Sequence, residues 1–151
     1  IAGKAVMLKE ANTIEFRNYA QQVITNAKQL ATDLIDSGFN LVTGGTDNHL
    51  LLLDIRDREI TGRDAANALE KAGIVCNFNS VPFDDRPVRE GGGIRLGTPA
   101  ITSRGLKSKH MSLVADWIMR VLHDVNNEDE LKVINEEIGT LLDEFPTPGI
   151  S

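Results

Sequence analysis

Arg95 lies between Ile94 and Leu96 in a short run bounded by Gly93 and Gly97. Its guanidinium is a permanently charged planar fork, suited to holding a carboxylate by two parallel hydrogen bonds. Flanking glycines let a ligand or another backbone come close. The same arginine also fits a structural ion pair with one of the 22 acidic residues. Just upstream, Gly91-Gly92-Gly93 reads either as an anion cradle or as a flexible turn. It matches neither the dinucleotide fingerprint nor the Walker loop, and no lysine follows in the right place. A third polar cluster is Thr43-Gly44-Gly45-Thr46-Asp47-Asn48-His49, placed before a run of leucines. Asp47 or Asn48 can satisfy loop amides there. His49 is either a group that titrates near neutrality or a satisfied turn histidine.

Other chemistries find little support. His110 and His123 lack a close Cys or His partner, and neither HExxH nor CxxC occurs, so no metal site is expected. No GxSxG nucleophile elbow is present. Cys76 follows Ile74 and Val75, which predicts a buried small hydrophobe in place of a reactive thiol. Glu128-Asp129-Glu130 reads as the acidic first turn of a helix.

The elements that must position these residues follow from periodicity and punctuation. Phe16, Tyr19, Val23, Ala27, Leu30 and Leu34 recur at helical spacing. With Asn12 and Glu15 as a capping box and Gly38 as the stop, they predict a long helix over about 12 to 37. Residues 39 to 43 read as a short strand. Residues 49 to 55 read as a strand buried on both faces, since its leucines leave little room for a polar side. Thr61 caps the next helix, with Asp64 in its first turn and Gly73 ending it. Residues 74 to 77 read as a strand, so strand, helix and strand form a plausible crossover. Residues 79 to 92 read as loop and Gly93 to Gly97 as the last strand. Thr98-Pro99 starts a helix that Gly105 interrupts. Ser108 is expected to cap a helix over 109 to 124, and Asn127 another over about 128 to 145. Pro146 and Pro148 stop the chain of helices.

The fold class implied is α+β: a small sheet of three or four strands covered by helices, with a long N-terminal helix and two C-terminal ones. The length of 151 residues suits one domain spanning 1–151. Aromatic residues make up only 5%, so the core must be aliphatic. A net charge of −6 argues against nucleic acid or an anionic membrane as partner. No run of residues approaches the ~20 apolar positions of a membrane span. The single cysteine fits a cytoplasmic protein. The chain opens on Ile1 in mid-pattern, as if a helix were already under way, which suggests a fragment or a processed chain.

Three ordered stretches carry a resemblance. Thr43 through Leu50 contains GGTDNHL, Asn79 through Pro82 reads NSVP, and Gly93 through Ala100 reads GIRLGTPA, continuing to Arg104-Gly105. In that order they resemble the C-terminal small domain of serine hydroxymethyltransferase, over nearly the whole chain. The resemblance implies a fold-type-I pyridoxal-phosphate enzyme that interconverts serine plus tetrahydrofolate with glycine plus 5,10-methylenetetrahydrofolate. It implies that Arg95 holds the substrate carboxylate, that Asn79 and Ser80 lie at the folate, and that the complete protein is a homo-oligomer. Residues 1–11 match a lead-in helix from a large domain, and the segments of His49 and Arg104 match scaffold. The sequence departs from the family pattern at Gly92 and at Arg89-Glu90-Gly91. None of Lys4, Lys9, Lys28, Lys71, Lys107, Lys109 or Lys132 has the His-Lys context of the family's cofactor lysine. No catalytic residue is therefore expected in this chain, and alone it should neither retain the cofactor nor turn over substrate. The alternatives are a freestanding amino-acid or folate binding module of the same fold, and an interaction domain without a ligand.

Overall fold

The computed structural model describes residues 1–149. Its elements, in chain order, are α1 (Ala2–Ala11), α2 (Ile14–Asp36), β1 (Asn40–Leu41), β2 (Leu50–Asp54), α3 (Gly62–Lys71), β3 (Asn77–Asn79), β4 (Gly93–Gly97), α4 (Pro99–Ser103), a 3-10 turn (Ser108–His110), α5 (Met111–His123) and α6 (Glu128–Asp143). The architecture is α+β.

The four strands lie in the order β1-β2-β4-β3, and every pairing is antiparallel. Because β2 and β3 both run against β4, they are parallel to each other, with β4 inserted between them. The β2–α3–β3 crossover expected from the sequence is therefore present in split form. The third strand is displaced, however: it occupies Asn77–Asn79, not residues 74–77. Only from Asn77 does the chain find β4 to pair with, Asn77 opposite Arg95 and Asn79 opposite Gly93.

The reading of β2 as buried on both faces is corrected. Leu51 and Leu53 are 1% and 0% exposed, whereas Leu50, Leu52 and Asp54 are half-buried. Side chains alternate along a strand, and the same parity runs across the sheet. Leu41, Leu51, Leu53, Ile94 and Leu96 belong to the buried core with residues of α2, α3, α5 and α6. Asn40, Leu52, Arg95 and Asn77 point the other way. The helices thus cover one face only, where the sequence reading had them cover the sheet.

Local chemistry sets the helix boundaries. Thr13, not Asn12, caps α2, accepting from Phe16 N–H at 3.2 Å. Thr61 caps α3 by accepting from Asp64 N–H at 3.1 Å, and Asn127 caps α6 by accepting from Glu130 N–H at 3.1 Å, both as expected. Ser108 does not cap α5. The chain enters through the 3-10 turn, where His110 Nδ1 accepts from Lys107 N–H at 2.8 Å.

A buried polar network ties α2 to the segment that follows β4. Asn26 is fully buried inside the apolar stripe of α2. Its Nδ2 donates to Thr102 Oγ1 at 2.8 Å and to the Leu106 carbonyl at 3.0 Å. Gln22 Nε2 donates to its Oδ1 at 2.8 Å. Thr98, also fully buried, donates to the Val23 carbonyl at 2.8 Å. The exit of β4 is thereby fastened to the longest helix.

Leaving buried partners unsatisfied costs about 1–3 kcal/mol. Asn26→Ala is therefore expected to lower unfolding free energy by about 2–3 kcal/mol. Exposed Gln21→Ala on the same helix should stay within about 0.5 kcal/mol. Urea titration of both variants measures the difference, and equal midpoints would contradict the assignment.

Candidate functional site

β4 presents Arg95 on the bare face of the sheet. Ile94 and Leu96 are 0% and 5% exposed, and Arg95 between them is exposed. Its cross-strand neighbours are Leu52 on β2 and Asn77 on β3. It has no ion-pair or side-chain hydrogen-bond partner among the described residues, although 22 acidic residues are available. The ion-pair alternative is thus not realised. An exposed ion pair contributes only about 0–1 kcal/mol, so stability exerts little pull on a solvated guanidinium.

The polar loop 43–48 meets the same arginine. Loop 43–48, Leu50, Leu52 and Arg95 line an open hollow of about 630 Å³. The loop is held by its own side chains. Thr43 Oγ1 donates to the Gly45 carbonyl at 2.6 Å, and Thr46 Oγ1 donates to the Leu50 carbonyl at 2.7 Å. Asn48 Oδ1 accepts from Leu50 N–H at 2.8 Å, the loop role expected for Asn48. Asp47 reaches outward, 3.5 Å from Lys28. His49 is exposed. Its imidazole bonds no described residue, while its carbonyl accepts from Thr98 N–H at 3.2 Å.

Asn79 is on β3, half-buried, on the same face as Arg95 and opposite Gly93. Ser80 follows at the strand's end and is exposed. The sheet therefore brings Arg95 and loop 43–48 to one hollow, while Asn79, opposite Gly93 on the same face, lies towards the other end of the sheet and outside the lining of that hollow.

The three glycines are neither an anion cradle nor a flexible turn. All are buried, and their amides and carbonyls are used internally. Gly62 N–H and Arg63 N–H, at the start of α3, donate to the carbonyls of Gly91 and Glu90 at 2.8 and 2.9 Å. A Cβ on Gly93 would lie 2.5 Å from the Leu53 carbonyl and 2.6 Å from Val81 Cγ1. Close packing of strand, loop and helix requires glycine here, and Val81 covers this end of the otherwise bare face.

Asp84 organises the covering loop, a role not read from the sequence. Its carboxylate accepts from Gly92 N–H at 2.7 Å, Arg86 N–H at 3.1 Å and Val81 N–H at 3.2 Å. Burial alone would raise its pKa, but these amides together hold it below the ordinary 3.8. At the neighbouring sheet end, Asp54 accepts from Arg56 Nε at 3.0 Å and Nη2 at 2.7 Å, and Arg56 Nη1 donates to the Phe83 carbonyl at 2.9 Å. The hydrogen bonds from Arg56 hold Asp54 below the usual carboxylate range.

Two further residues are structural. Arg104 Nε donates to the Phe145 carbonyl at 2.7 Å and Nη2 to the Leu142 carbonyl at 3.3 Å, fastening the end of α6. Cys76 is half-buried, and burial, then Glu70, pushes its thiol up to about 11, so it is protonated at neutral pH. No group of three or more His, Cys, Asp or Glu that could hold a metal occurs among the described residues. No helix among them is long and apolar enough to cross a membrane.

The fold and hollow define an α+β domain with helices on one face of its sheet and, among the described residues, Arg95 without an ion-pair partner on the other. A family model described as serine hydroxymethyltransferase matches residues 1–118, and the chain belongs to that family. The serine hydroxymethyltransferase of Desulfotalea psychrophila (strain LSv54 / DSM 12343) is 50% identical over 149 residues. That match covers 99% of this chain and 35% of the relative, so the chain spans about a third of the length of the protein it matches.

Asp84 makes the loop acid-sensitive. Its folded pKa is depressed, so its contribution is complete above the ordinary value of 3.8 and is lost as pH falls through the lower folded value. Hydrogen exchange at Gly92 N–H should accelerate below that pH relative to Leu51 N–H in the core. In Asp84→Asn it should already be fast at pH 6, and unchanged Gly92 protection there would contradict the role.

Proposed function

We propose that the chain is the C-terminal small domain of a serine hydroxymethyltransferase, the enzyme that interconverts serine plus tetrahydrofolate with glycine plus 5,10-methylenetetrahydrofolate. The single observation that carries this reading is Arg95, a solvated fork on a bare sheet face with no acidic partner among the described residues. In the complete enzyme its two parallel N–H groups grip the carboxylate of serine or glycine. The grip fixes the amino acid's orientation, so that the bond to be broken is held in one alignment. Covering the face by a second domain removes water, which strengthens that contact relative to its exposed state. Asn79 and Ser80, two to three positions beyond Arg95's partner Asn77, supply amide and hydroxyl groups to the folate.

When bound, pyridoxal phosphate supplies the electron sink for the reaction. The described residues of this chain do not fit that cofactor. A Schiff-base amine must be sheltered from water or set against another cation to react as the free base. Every lysine here is exposed, and none lines the hollow beside Arg95. The cofactor and its lysine accordingly belong to the part of the enzyme outside this chain. Helix α1, which buries none of its residues, is on this reading the lead-in from that part. The domain's partners are thus the large domain and a second copy of the enzyme, in the cytoplasm, with neither nucleic acid nor membrane involved.

Two measurements test the reading. In the full-length enzyme, Arg95→Lys should lower kcat/KM for serine by about 100-fold or more, because a point charge cannot replace a planar fork. The 151-residue chain, mixed with pyridoxal phosphate and dialysed, should retain no cofactor absorbance. Near-normal turnover in the first, or a retained chromophore in the second, contradicts it. A freestanding binding module would instead give a heat of binding with glycine, serine or folate on the chain alone.

A further inference from the structure

A free Arg95 needs an explanation, because an acidic residue stands close by on its own face. Arg95 is opposite Leu52, and Asp54 is two residues further along β2, opposite Gly93. Residues two apart on a strand share a face. Asp54 is therefore the diagonal neighbour of Arg95, at a Cα separation of about 7–8 Å, within reach of a long side chain. Gly93, between them on that face, has no side chain of its own, and Val81 Cγ1 and Leu52 Cδ1 lie over it, 2.6 and 3.5 Å from where a Cβ would stand, so an Arg95–Asp54 contact would pass over these aliphatic groups. Of the positions flanking Arg95 on β2 and β3, namely Leu50, Leu52, Asp54, Asn77 and Asn79, only Asp54 carries a charge. Asp47 lines the same hollow, but its side chain is fully exposed and lies 3.5 Å from Lys28.

Asp54 is fully engaged elsewhere. Arg56 meets it with Nε at 3.0 and 3.2 Å from its two oxygens, with Nη2 at 2.7 Å, and with backbone N–H at 3.1 Å. The remaining Arg56 nitrogen, Nη1, bonds the Phe83 carbonyl. This anchors the fork to the covering loop, with Arg56 Cγ packed over Gly92. A carboxylate accepts through a limited set of lone pairs, and the bidentate pair turns them from Arg95.

We propose that Arg56 is a positioning residue for substrate binding: by sequestering Asp54, it keeps Arg95 open to an external carboxylate. The inference rests on the reading of Arg95 as the carboxylate fork, and it acts on affinity. If Arg56 were absent, Asp54 would turn to Arg95 and compete with the amino acid for the same N–H groups. Apparent affinity would fall by the fraction of time Arg95 remained free.

Two readouts separate this role from a merely structural one. The first uses the chain itself and needs no activity. The carboxyl carbon of Asp54 is followed by NMR through acid titration in four forms: parent, Arg95→Gln, Arg56→Met, and Arg56→Met with Arg95→Gln. In the parent background, Arg95→Gln should leave the Asp54 midpoint nearly unmoved. In the Arg56→Met background it should raise the midpoint by about half a pH unit, the shift that accompanies an exposed pair formed about two-thirds of the time. The Arg86 charge, common to all four, cancels. Equal responses in both backgrounds overturn the proposal.

The second readout uses the full-length enzyme. Arg56→Met should raise KM for serine about threefold with kcat nearly unchanged, corresponding to Arg95 free about a third of the time, as an exposed pair allows. Arg56→Lys, which keeps a cation beside Asp54, should raise KM less. Arg56→Met combined with Asp54→Asn should restore KM, because the competing carboxylate is gone. A structural role predicts no restoration, and failure to restore overturns the proposal. If Arg95→Lys collapses activity while the titration shows no capture, the inference fails and the carboxylate reading stands. If capture is seen but neither Arg56→Met nor Arg95→Lys moves KM, the carboxylate reading fails.

Discussion

Ile94 and Leu96 point into the helices, so Arg95 between them must point away from them. No rotation of β4 can bury all three, because successive side chains on a strand leave on opposite faces. The burial of two aliphatic side chains, about 1.5–3 kcal/mol each, therefore holds a charged fork on the opposite, uncovered side. The rest of the chain reinforces this choice. Leu51 and Leu53 set the same parity on β2, and Asn26 with Thr98 fastens the strand's exit to α2. The bare face is a consequence of where the helices find their aliphatic partners.

That face is graded along its length. At the Gly93 end, loop 80–92 closes over the sheet, with Asp84 tying its amides together and Val81 seated against the glycine. At the Arg95 end nothing among the described residues covers the sheet, and loop 43–48 forms the wall of a hollow. The charged residues follow the same gradient. The Asp54–Arg56 pair sits under the loop, and Arg95 stands in the open.

Much of this was legible in the residues. The caps Thr61 and Asn127 are local hydrogen-bonding devices, and local devices can be read from spacing. The Gly93-to-Gly97 strand was bounded by its own glycines. The misplacements have physical causes of another kind. β3 begins at Asn77 because its partner β4 begins to pair there, and pairing partners are not written in a strand's own residues. Asn12 and Thr13 are both good caps, and one residue of helical phase decided between them. The leucines of β2 suggested burial on both faces, since a leucine run does not tell which face the helices leave uncovered. Asn26 lay inside an apolar helical stripe, and its partners Thr102 and Leu106 are far along the sequence. The Asp84 cluster and the Asp54–Arg56 pair emerge only when loop and sheet are folded together. For the site itself, Arg95 and Asn79 were legible as candidates, but that loop 43–48 would share a hollow with Arg95 was not.

The most direct test of the central claim is a crystal structure of the full-length enzyme with glycine bound. The account predicts both glycine carboxylate oxygens within hydrogen-bonding distance of the Arg95 guanidinium, with Asp54 still on Arg56. Glycine held by another cation, with Arg95 turned to solvent or paired with Asp54, would contradict it.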